Sequence, residues 1–428
     1  MRTGVAPDHP EVKQVTNDFE EVAKDARFGF LGNVTVGAQV QVAELLSLYD
    51  GVVLAYGAAS DRAMGVPGEG LAGVHAARAF VNWYNGHPDF RDFAPNLDTE
   101  DVVIVGQGNV AIDCARILCK TRAELAETDI AAHALDALSR SRVKRVHVVG
   151  RRGHVQAAVT MKELREATRL ADADFCVREG ELAAGRTPAS LAEMEAARAR
   201  KRMDALLAEA AAAGAARGAA AKKGKALEFR FLRSPLECLP APGGGGGAVG
   251  AVRLAVNRLE GAAEAQRAVA TGETEVLPAG LVLKSIGYKS LPLPGVPFDA
   301  RAATVLHAAG RVLAAPGGAP VKGLYCAGWA KRGPTGIVGT NIGDARETVA
   351  SLLADFGGGG GGGGGSGKGG LPALRALLAA RGAAAGSLVA WSGWRKIDEG
   401  ELARGAAAGK CREKFTDVPS MLAVGGGV

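Results

Sequence analysis

The sequence predicts an α/β fold, in which buried strands alternate with amphipathic helices. The first observation is residues 101–118 (DVVIVGQGNVAIDCARIL), which have the pattern of a buried strand, a glycine turn and a helix. The second is residues 143–153 (VKRVHVVGRRG), a further buried strand that runs into a glycine and two arginines. Two short apolar runs, residues 51–58 and 281–288, predict more strands of the same kind. Strands interleaved with helices define the α/β class.

The glycines after the first of these strands follow the pattern G-x-G-x-x-A. Gly106 and Gly108 allow the backbone to turn sharply and to approach a pyrophosphate closely. The phosphate charge would then lie at the N-terminus of a helix that begins near Asn109. Ala111 takes the third position, where a small residue permits close packing of helix on strand. The pattern therefore predicts a dinucleotide-binding turn.

The strand at residues 146–149 indicates which dinucleotide would bind. An NAD site usually carries Asp or Glu at this place for the ribose 2′-hydroxyl, but here Gly150 is followed by Arg151 and Arg152. Two guanidinium groups suit a 2′-phosphate, so NADP is predicted. The crossover at residues 120–142 is longer than in the simplest unit of this kind. A solvated basic turn after a buried strand is the alternative interpretation.

Other elements follow in chain order. Residues 4–12 contain A-P-D-H-P, a rigid loop that includes His9, because proline fixes its own φ and biases the preceding residue to extended backbone. Residues 28–34 (FGFLGNV) resemble a strand, and residues 323–345 predict a strand, a loop with Trp329 and Gly336, and a helix from near Ile337. Helices are predicted at residues 17–26, 42–48, 76–84, 159–170 and 189–213.

The predicted helix at residues 189–213 is rich in alanine and carries four basic residues close together, Arg198, Arg200, Lys201 and Arg202. Charge runs are usually solvated helix faces. The sharper alternative is a docking patch for an acidic protein. Two glycine runs, residues 243–247 and 357–365, predict a hairpin loop or insert and a flexible insert, respectively.

Composition sets further bounds on the protein. A length of 428 residues predicts two or three domains, and a hydrophobic fraction of 47% allows a sizeable core. A net charge of +6 fits an acidic partner, a nucleic acid or simple solubility, but an aromatic fraction of 5% offers few stacking platforms for single strands. Six scattered cysteines without C-x-x-C pairs predict reduced, buried thiols and no metal site. The sequence has no uninterrupted apolar run of about 18 residues, so no membrane span is predicted.

Several motifs stand in one order along the chain: GVAPDHPEVK, GQGNVAIDCARI, VVGRRG, KELRE, SIGYKS and GWAKRGPTGI. Together they resemble the adrenodoxin reductase family of NADPH-dependent ferredoxin reductases. The resemblance extends from Gly4 to residues 409–414 (GKCREK). The alanine-rich helix and both glycine runs depart from the family.

The resemblance implies an α/β architecture of two Rossmann-like dinucleotide-binding domains, with the NADP domain inserted into the FAD domain. On this basis residues 1–59 and 290–428 form an N-terminally incomplete FAD-binding domain. Residues 60–289 form the NADP-binding domain, and residues 357–370 form a flexible glycine-rich insert.

The resemblance also implies the activity. NADPH would give a hydride to FAD, and electrons would pass singly to an acidic 2Fe–2S ferredoxin of the adrenodoxin type. It suggests a mitochondrial protein and a monomer. No nucleic-acid partner and no membrane span are expected, and peripheral association with a membrane is left open.

The resemblance assigns roles to individual residues. Catalytic roles fall to His9, close to the isoalloxazine, and to Glu163, near the nicotinamide amide. The NADP-binding residues would be Gln107, Gly108, Asn109, Val110, Arg151, Arg152, Glu163 and Gly336. The FAD-binding residues would be Val36, Trp329, Gly336, Ile337 and Val338. Arg198 and Arg202 match basic residues that dock the ferredoxin. No metal ligands are implied.

One departure concerns the FAD pyrophosphate. The family begins with a strand and a G-x-G-x-x-G/A turn ahead of the GVAPDHP segment, and this sequence has no such motif there. We therefore expect residues 1–428 expressed alone to be poorly soluble or free of flavin. A non-catalytic NADP-binding remnant is one alternative. The other is a glutamate-synthase-like small subunit, against which the missing cysteine-rich cluster region and the GVAPDHPEVK motif argue.

Overall fold

The computed structural model describes residues 2–217, 223–243, 247–336, 339–357, 367–382 and 386–426. The chain divides into two compact units, each made of three segments. Unit 1 comprises Met1–Asn17, Ala63–Ile286 and Glu399–Val418. Unit 2 comprises Asp18–Arg62, Gly287–Asp398 and Pro419–Val428.

The helices and strands of the described residues are numbered in chain order. The α-helices are α1 (Pro10–Lys13), α2 (Thr16–Ala23), α3 (Val42–Leu48), α4 (Ala77–Tyr84), α5 (Asn109–Cys119), α6 (Arg122–Ala126), α7 (Ala132–Ser139), α8 (Met161–Thr168), α9 (Glu179–Gly185), α10 (Pro188–Ala196), α11 (Arg198–Arg217), α12 (Trp329–Arg332), α13 (Thr340–Gly357), α14 (Gly370–Ala380), α15 (Trp391–Ala407) and α16 (Val418–Gly425). The strands are β1 (Val52–Leu54), β2 (Ser60–Asp61), β3 (Val74–Ala76), β4 (Asp101–Val105), β5 (Arg145–Val149), β6 (Ala173–Val177), β7 (Lys225–Arg230), β8 (Arg233–Pro240), β9 (Val249–Glu260), β10 (Arg267–Pro278), β11 (Leu281–Lys284), β12 (Tyr288–Lys289), β13 (Phe298–Asp299), β14 (Thr304–Val305), β15 (His307–Ala308), β16 (Arg311–Leu313) and β17 (Pro320–Cys326).

Unit 1 is built on a six-stranded parallel sheet with the order β3-β11-β4-β5-β7-β6. All five residues of β4 are buried, as expected of a parallel strand covered on both faces. In this sheet β5 lies next to β4 on one side, and β11, which comes much later in the chain, lies next to β4 on the other side. The carboxyl end of β4 is therefore a topological switch point, where open α/β sheets bind their ligands.

The register places four strand ends at the same edge of this sheet. Val105 pairs with Val149 and with Lys284, and Val149 pairs with Arg230. The glycine turn after β4 and the arginines after β5 therefore emerge side by side. An antiparallel sheet, in the order β10-β9-β8, completes the unit.

Unit 2 has a four-stranded sheet in the order β1-β17-β16-β15. Only the β1 to β17 pairing is parallel among these strands. Its core gathers small and branched side chains, including Val42, Leu54, Val305 and Leu324. In the part of the chain that the structure describes, no helix is long and apolar enough to cross a membrane.

The unit boundaries differ from the predicted domain boundaries at both ends of the chain. Residues 1–17 and 399–418 belong to unit 1, although the sequence grouped them with residues 1–59 and 290–428. Polar contacts within unit 1 explain this. Arg2 forms an ion pair with Glu401, and Lys13 Nζ lies 2.5 Å from a carboxylate oxygen of Asp129. Which cofactor each unit serves stays a prediction.

Some local predictions were wrong. The predicted continuous helix at residues 189–213 is two helices, because Ala197 adopts extended backbone (φ −134°, ψ 104°) between α10 and α11. Residues 28–34 form a single isolated bridge, from Gly32 to Val389, and no strand. Phe28 and Phe30 of this segment pack edge-on against Trp391.

The cysteines and glycine runs match the predictions only in part. Cys411 is exposed and Cys176 is half-buried, whereas the remaining four thiols are buried as predicted. The run at residues 243–247 lies between the antiparallel strands β8 and β9, as predicted for a hairpin, and residues 244–246 lie outside the described ranges. Of the predicted insert at residues 357–370, Gly357 ends α13 and Gly370 begins α14, while residues 358–366 are not described.

Candidate dinucleotide site and the buried charge cluster

The glycine turn lies at the carboxyl end of β4. Gly106 has φ +121°, a left-handed conformation that side-chain-bearing residues rarely adopt, and its amide donates to the Val149 carbonyl at 2.8 Å. A Cβ on Gly106 would overlap the carbonyl oxygen of Ser285 after β11. Only glycine therefore fits between the ends of β4, β5 and β11.

Gly108 serves a different purpose from Gly106. It precedes the first residue of α5 with ordinary backbone angles (φ −103°, ψ 175°), and a Cβ there would have no heavy atom within 4 Å. The space over the N-terminus of this eleven-residue helix is open, which suits an anion. Ala111 is fully buried, as predicted for the third position of the pattern.

Side chains of the turn brace the sheet edge. Gln107 Nε2 donates to the carbonyl of Arg230 at 3.0 Å and lies 3.3 Å from that of Val148. The Gln107 side chain is thus directed into the protein, which leaves its backbone for any contact with a phosphate. Asn109 Oδ1 accepts from the Thr160 amide at 3.0 Å, so it fixes the start of α8. Val110 packs partly buried against the core.

Arg151 and Arg152 follow β5 at the same edge. Arg151 is exposed and Arg152 is half-buried, and the second donates weakly to the Gln156 carbonyl at 3.4 Å. Neither arginine forms an ion pair with any residue in the described ranges. Two guanidinium groups without carboxylate partners therefore lie beside the predicted pyrophosphate turn.

The two residues predicted to be catalytic lie together in unit 1. His9 is buried, with Nδ1 at 3.8 Å from Glu163 Oε1 and Nε2 at 2.7 Å from Glu166 Oε2. Glu163 occupies the first turn of α8, where the Thr160 hydroxyl accepts from its amide at 3.4 Å. His9 is therefore hydrogen-bonded to Glu166 and lies near Glu163, and an imidazole in such a position can take part in proton transfer. An open groove of about 440 Å³ reaches Glu166 from outside.

Arg116 on α5 organises this cluster, and the sequence analysis missed it. Its buried guanidinium forms ion pairs with Asp8 at 3.1 Å, with Asp113 at 2.9 Å and with Glu163. Side-chain atoms of His9, Asp113 and Glu163 that could bind a metal ion lie within 4.8 Å of one another. The Arg116 guanidinium already supplies positive charge at this place. An arginine inside the apolar α5 pattern was the signal that could have revealed it.

Burial and charge shift the titration of the cluster in opposite directions. Burial alone would raise the pKa of Asp8, but Arg116 and Lys120 outweigh it and hold the pKa well below its usual range. Burial raises the pKa of Asp113 to about 6, against the attraction of Arg116. For Arg116 burial would lower the pKa, but Asp8 and Asp113 raise it above its ordinary value. Asp113 is therefore an acid that titrates near neutrality inside the cluster.

The residues predicted to line a flavin lie in unit 2. Trp329 begins α12 and stacks on Tyr288, with ring centroids 5.6 Å apart. Gly336 has φ +80°, and a Cβ there would crowd the Thr340 side chain. Val36 packs partly buried against the apolar core of the unit. Ile337 and Val338 lie outside the described residues.

The predicted docking residues lie on α11 of unit 1. Arg198 and Arg202 are exposed, and neither pairs with an acidic side chain in the described ranges. Arg200, between them, is held by Glu193 at 3.3 Å and by Glu264. Arg198 and Arg202 are therefore available to a partner, whereas Arg200 is committed to the fold.

A parallel sheet with a glycine turn at its switch point and two free arginines beside it defines a pyridine-nucleotide-binding protein of the Rossmann class. The family model described as pyridine nucleotide-disulphide oxidoreductase matches residues 4–172. The chain is 48% identical over 441 residues to the mitochondrial NADPH:adrenodoxin oxidoreductase of Salvelinus fontinalis, covering 99% of this chain and 83% of the relative. It is 47% identical to the corresponding protein of Bos taurus, with the same coverage. The chain therefore belongs to the NADPH:adrenodoxin oxidoreductase family.

A solved structure agrees with this assignment. Mycobacterium tuberculosis FprA in complex with NADPH superposes with a TM-score of 0.86 at 39% identity, covering 99% of this chain and 89% of that one. FprA is named an NADPH-ferredoxin reductase. The resemblance predicted from the motifs, the two-domain α/β class and the family's class of FAD- and NADP-dependent oxidoreductases are thus confirmed. The roles of individual residues remain predictions.

Proposed function

We propose that this chain is an NADPH-dependent reductase of an acidic 2Fe–2S ferredoxin. The observation that carries the proposal is the position of Arg151 and Arg152 beside an open glycine turn at the sheet edge. Neither arginine has a carboxylate partner in the described ranges. The names of its relatives, which reduce adrenodoxin or ferredoxin with NADPH, support the same activity. Unit 1 would be the NADP-binding unit and unit 2 the flavin-binding unit.

In this proposal the nucleotide is held by its phosphates. The backbone of residues 107–110 at the start of α5 would bind the pyrophosphate, because a helix N-terminus favours negative charge. Arg151 and Arg152 would bind the 2′-phosphate through charge-assisted hydrogen bonds. Glu163 would approach the nicotinamide end, as the family resemblance implies.

The buried cluster would manage charge during the reaction. His9 and Glu163 would act at the reacting end, where the His9 ring lies beside the carboxylates of Glu163 and Glu166. Arg116 would keep Glu163 fixed in place, because its guanidinium binds that carboxylate directly. Asp113, with its raised pKa, would be a second proton donor in reach of the cluster.

The chemistry expected of FAD is acceptance of a hydride and release of electrons one at a time. Trp329, Gly336 and Val36, with Ile337 and Val338, would line it. The fit is partial, because in the described ranges of unit 2 no strand leads through a G-x-G-x-x-G turn into a long helix. The second candidate function is an NADP-binding protein without reductase activity.

The basic surface of α11 would meet the ferredoxin. Arg198 and Arg202 are exposed cations one helical turn apart, which can steer an acidic protein into an encounter. A mitochondrial location is proposed from the names of the vertebrate relatives. A monomer is proposed from the family.

The test compares two acceptors with the full chain in the presence of FAD. We expect NADPH to drive reduction of ferricyanide directly, and of cytochrome c through adrenodoxin. The double variant R198E/R202E should slow the adrenodoxin-dependent reaction roughly 10-fold or more at low salt, because steering charges act on the encounter. Ferricyanide reduction should persist, and salt should blunt the difference since the Debye length is about 8 to 10 Å.

A matched control is R267E/R301E, which reverses two exposed arginines elsewhere on the chain. It should leave both reactions near wild type. Equal loss of both reactions in R198E/R202E would contradict the docking role. A chain that binds NADP⁺ but reduces neither acceptor would favour the non-catalytic alternative.

A further inference from the structure

The backbone that carries Arg151 and Arg152 is tethered at every carbonyl. The Gly150 carbonyl accepts from the Arg233 amide at 2.9 Å, and that of Arg152 accepts from the Leu232 amide at 3.0 Å. Between them, the Arg151 carbonyl accepts from Asn257 Nδ2 at 2.9 Å. The middle bond is the only one of the three that comes from a side chain.

Asn257 lies on β9 and is 5% exposed. Its side-chain amide donates both to Arg151 and to Ser234 Oγ at 2.8 Å, which uses both hydrogens of the amide nitrogen. Its own backbone amide donates to the Leu232 carbonyl at 2.8 Å. Asn257 is thus held by Ser234 and Leu232 in addition to its bond to the Arg151 carbonyl.

The neighbouring segment is held under strain. Leu232 is 2% exposed and has φ +56°, a conformation that is rare for a branched side chain. Such a conformation persists where the surroundings over-determine it, and it often occurs at binding sites. Here it lets the Leu232 amide and carbonyl face the Arg152 carbonyl and the Asn257 amide at the same time.

We propose that Asn257 is a positioning residue that sets the preference for a 2′-phosphorylated nucleotide. It does so by holding the Arg151 carbonyl, so that the backbone of the turn is fixed while neither guanidinium group is tied to a carboxylate of the described residues. A preorganised turn loses less entropy when it binds a phosphate, which raises affinity for that phosphate alone. This inference rests on the proposed function of Arg151 and Arg152.

The test uses adenosine 2′,5′-bisphosphate and AMP, which differ only at the 2′-phosphate, titrated into the full chain by calorimetry. In Asn257→Leu the Arg151 carbonyl loses its donor without much change of volume. Binding of the bisphosphate should weaken roughly 5- to 30-fold, the factor that corresponds to about 1 to 2 kcal/mol. AMP binding should stay within about 2-fold, and the smaller Asn257→Ala should behave alike.

Ser234→Ala is the matched control, because it removes the other partner of Asn257 and leaves the bond to Arg151. It should bind both ligands like wild type. Equal weakening of both ligands in Asn257→Leu, or no weakening, would overturn the positioning role. Arg151→Ala separates the two claims: if it too binds the bisphosphate like wild type, the phosphate assignment itself fails, and if it alone binds weakly, only the role of Asn257 fails.

Discussion

The amide nitrogen of Gly106 donates to the carbonyl oxygen of Val149 at 2.8 Å. This bond joins the two motifs of the nucleotide site at the level of the backbone. Gly106 opens the predicted pyrophosphate turn, and Val149 is the last residue of β5 before Gly150 and the two arginines. The turn and the arginines therefore lie side by side at one edge of the sheet, although they are far apart in the chain.

The two glycines of the turn should respond differently to a methyl group. Gly106→Ala forces a Cβ into the Ser285 carbonyl with φ +121°, so we expect a loss of about 2 to 4 kcal/mol in unfolding free energy. Gly108→Ala meets open space and should cost about 1 kcal/mol or less, but it should weaken NADP⁺ binding because the methyl group occupies the approach of the phosphate. Urea unfolding and NADP⁺ titration measure both effects. Similar destabilisation in the two variants would refute the distinction.

Asp113 should make stability depend on pH near 6. Its folded pKa of about 6 lies above the ordinary value of 3.8, so the folded protein binds this proton more tightly than the unfolded chain. The stability that protonated Asp113 contributes is therefore present at low pH and lost as pH rises through 6. The loss amounts to about 3 kcal/mol, because one pKa unit corresponds to about 1.4 kcal/mol.

Asp113→Asn removes this titration and keeps the side-chain size. The neighbours that face position 113, chiefly Arg116, Glu163, His9 and Asp8, remain in both proteins. The variant should thus gain stability relative to wild type as pH rises from about 4.5 to 7.5, by about 2 kcal/mol in urea unfolding. A difference between the two proteins that stays constant with pH would show that Asp113 does not titrate in this range.

Helix α13 exposes an apolar face, which should limit solubility. It buries Thr348 and Ser351, whereas Ile342, Val349 and Leu353 are 57%, 49% and 62% exposed. Residues at this spacing form one stripe on a helix.

The double variant I342K/L353E should reduce aggregation in light scattering with little change in stability, because surface changes usually lie within about 0.5 kcal/mol. Leu191→Glu, at an isolated exposed leucine on α10, should have no such effect, and equal improvement by Leu191→Glu would contradict the stripe as the cause.

Local sequence pattern was sufficient to name candidate residues for the predicted nucleotide site. The strand with its glycine turn and the strand with its two arginines are each encoded by a short continuous stretch, so Gly106, Gly108, Arg151 and Arg152 could be named. Their common edge follows from the parallel pairing of β4 with β5.

Contacts between distant segments could not be predicted in this way. The pairing of Arg116 with Asp8, and of His9 with Glu166, depends on how residues 1–17 pack onto α5 and α8. No local pattern encodes that packing. The same packing places residues 1–17 in unit 1, which differs from the predicted domain boundary. The break at Ala197 is similar, because alanine favours helix and only the tertiary context overrides this preference.

The most direct test of the central claim is the affinity of the full chain for NADP⁺ and NAD⁺ in wild type, Arg151→Ala and Arg152→Ala. Each charge-assisted bond contributes about 1.5 to 3 kcal/mol, so removing one arginine should weaken NADP⁺ binding roughly 10- to 150-fold. NAD⁺ binding should hardly change, because it has no 2′-phosphate, and wild type should prefer NADP⁺. Equal loss of affinity for both nucleotides, or a wild type that binds them equally, would contradict the account.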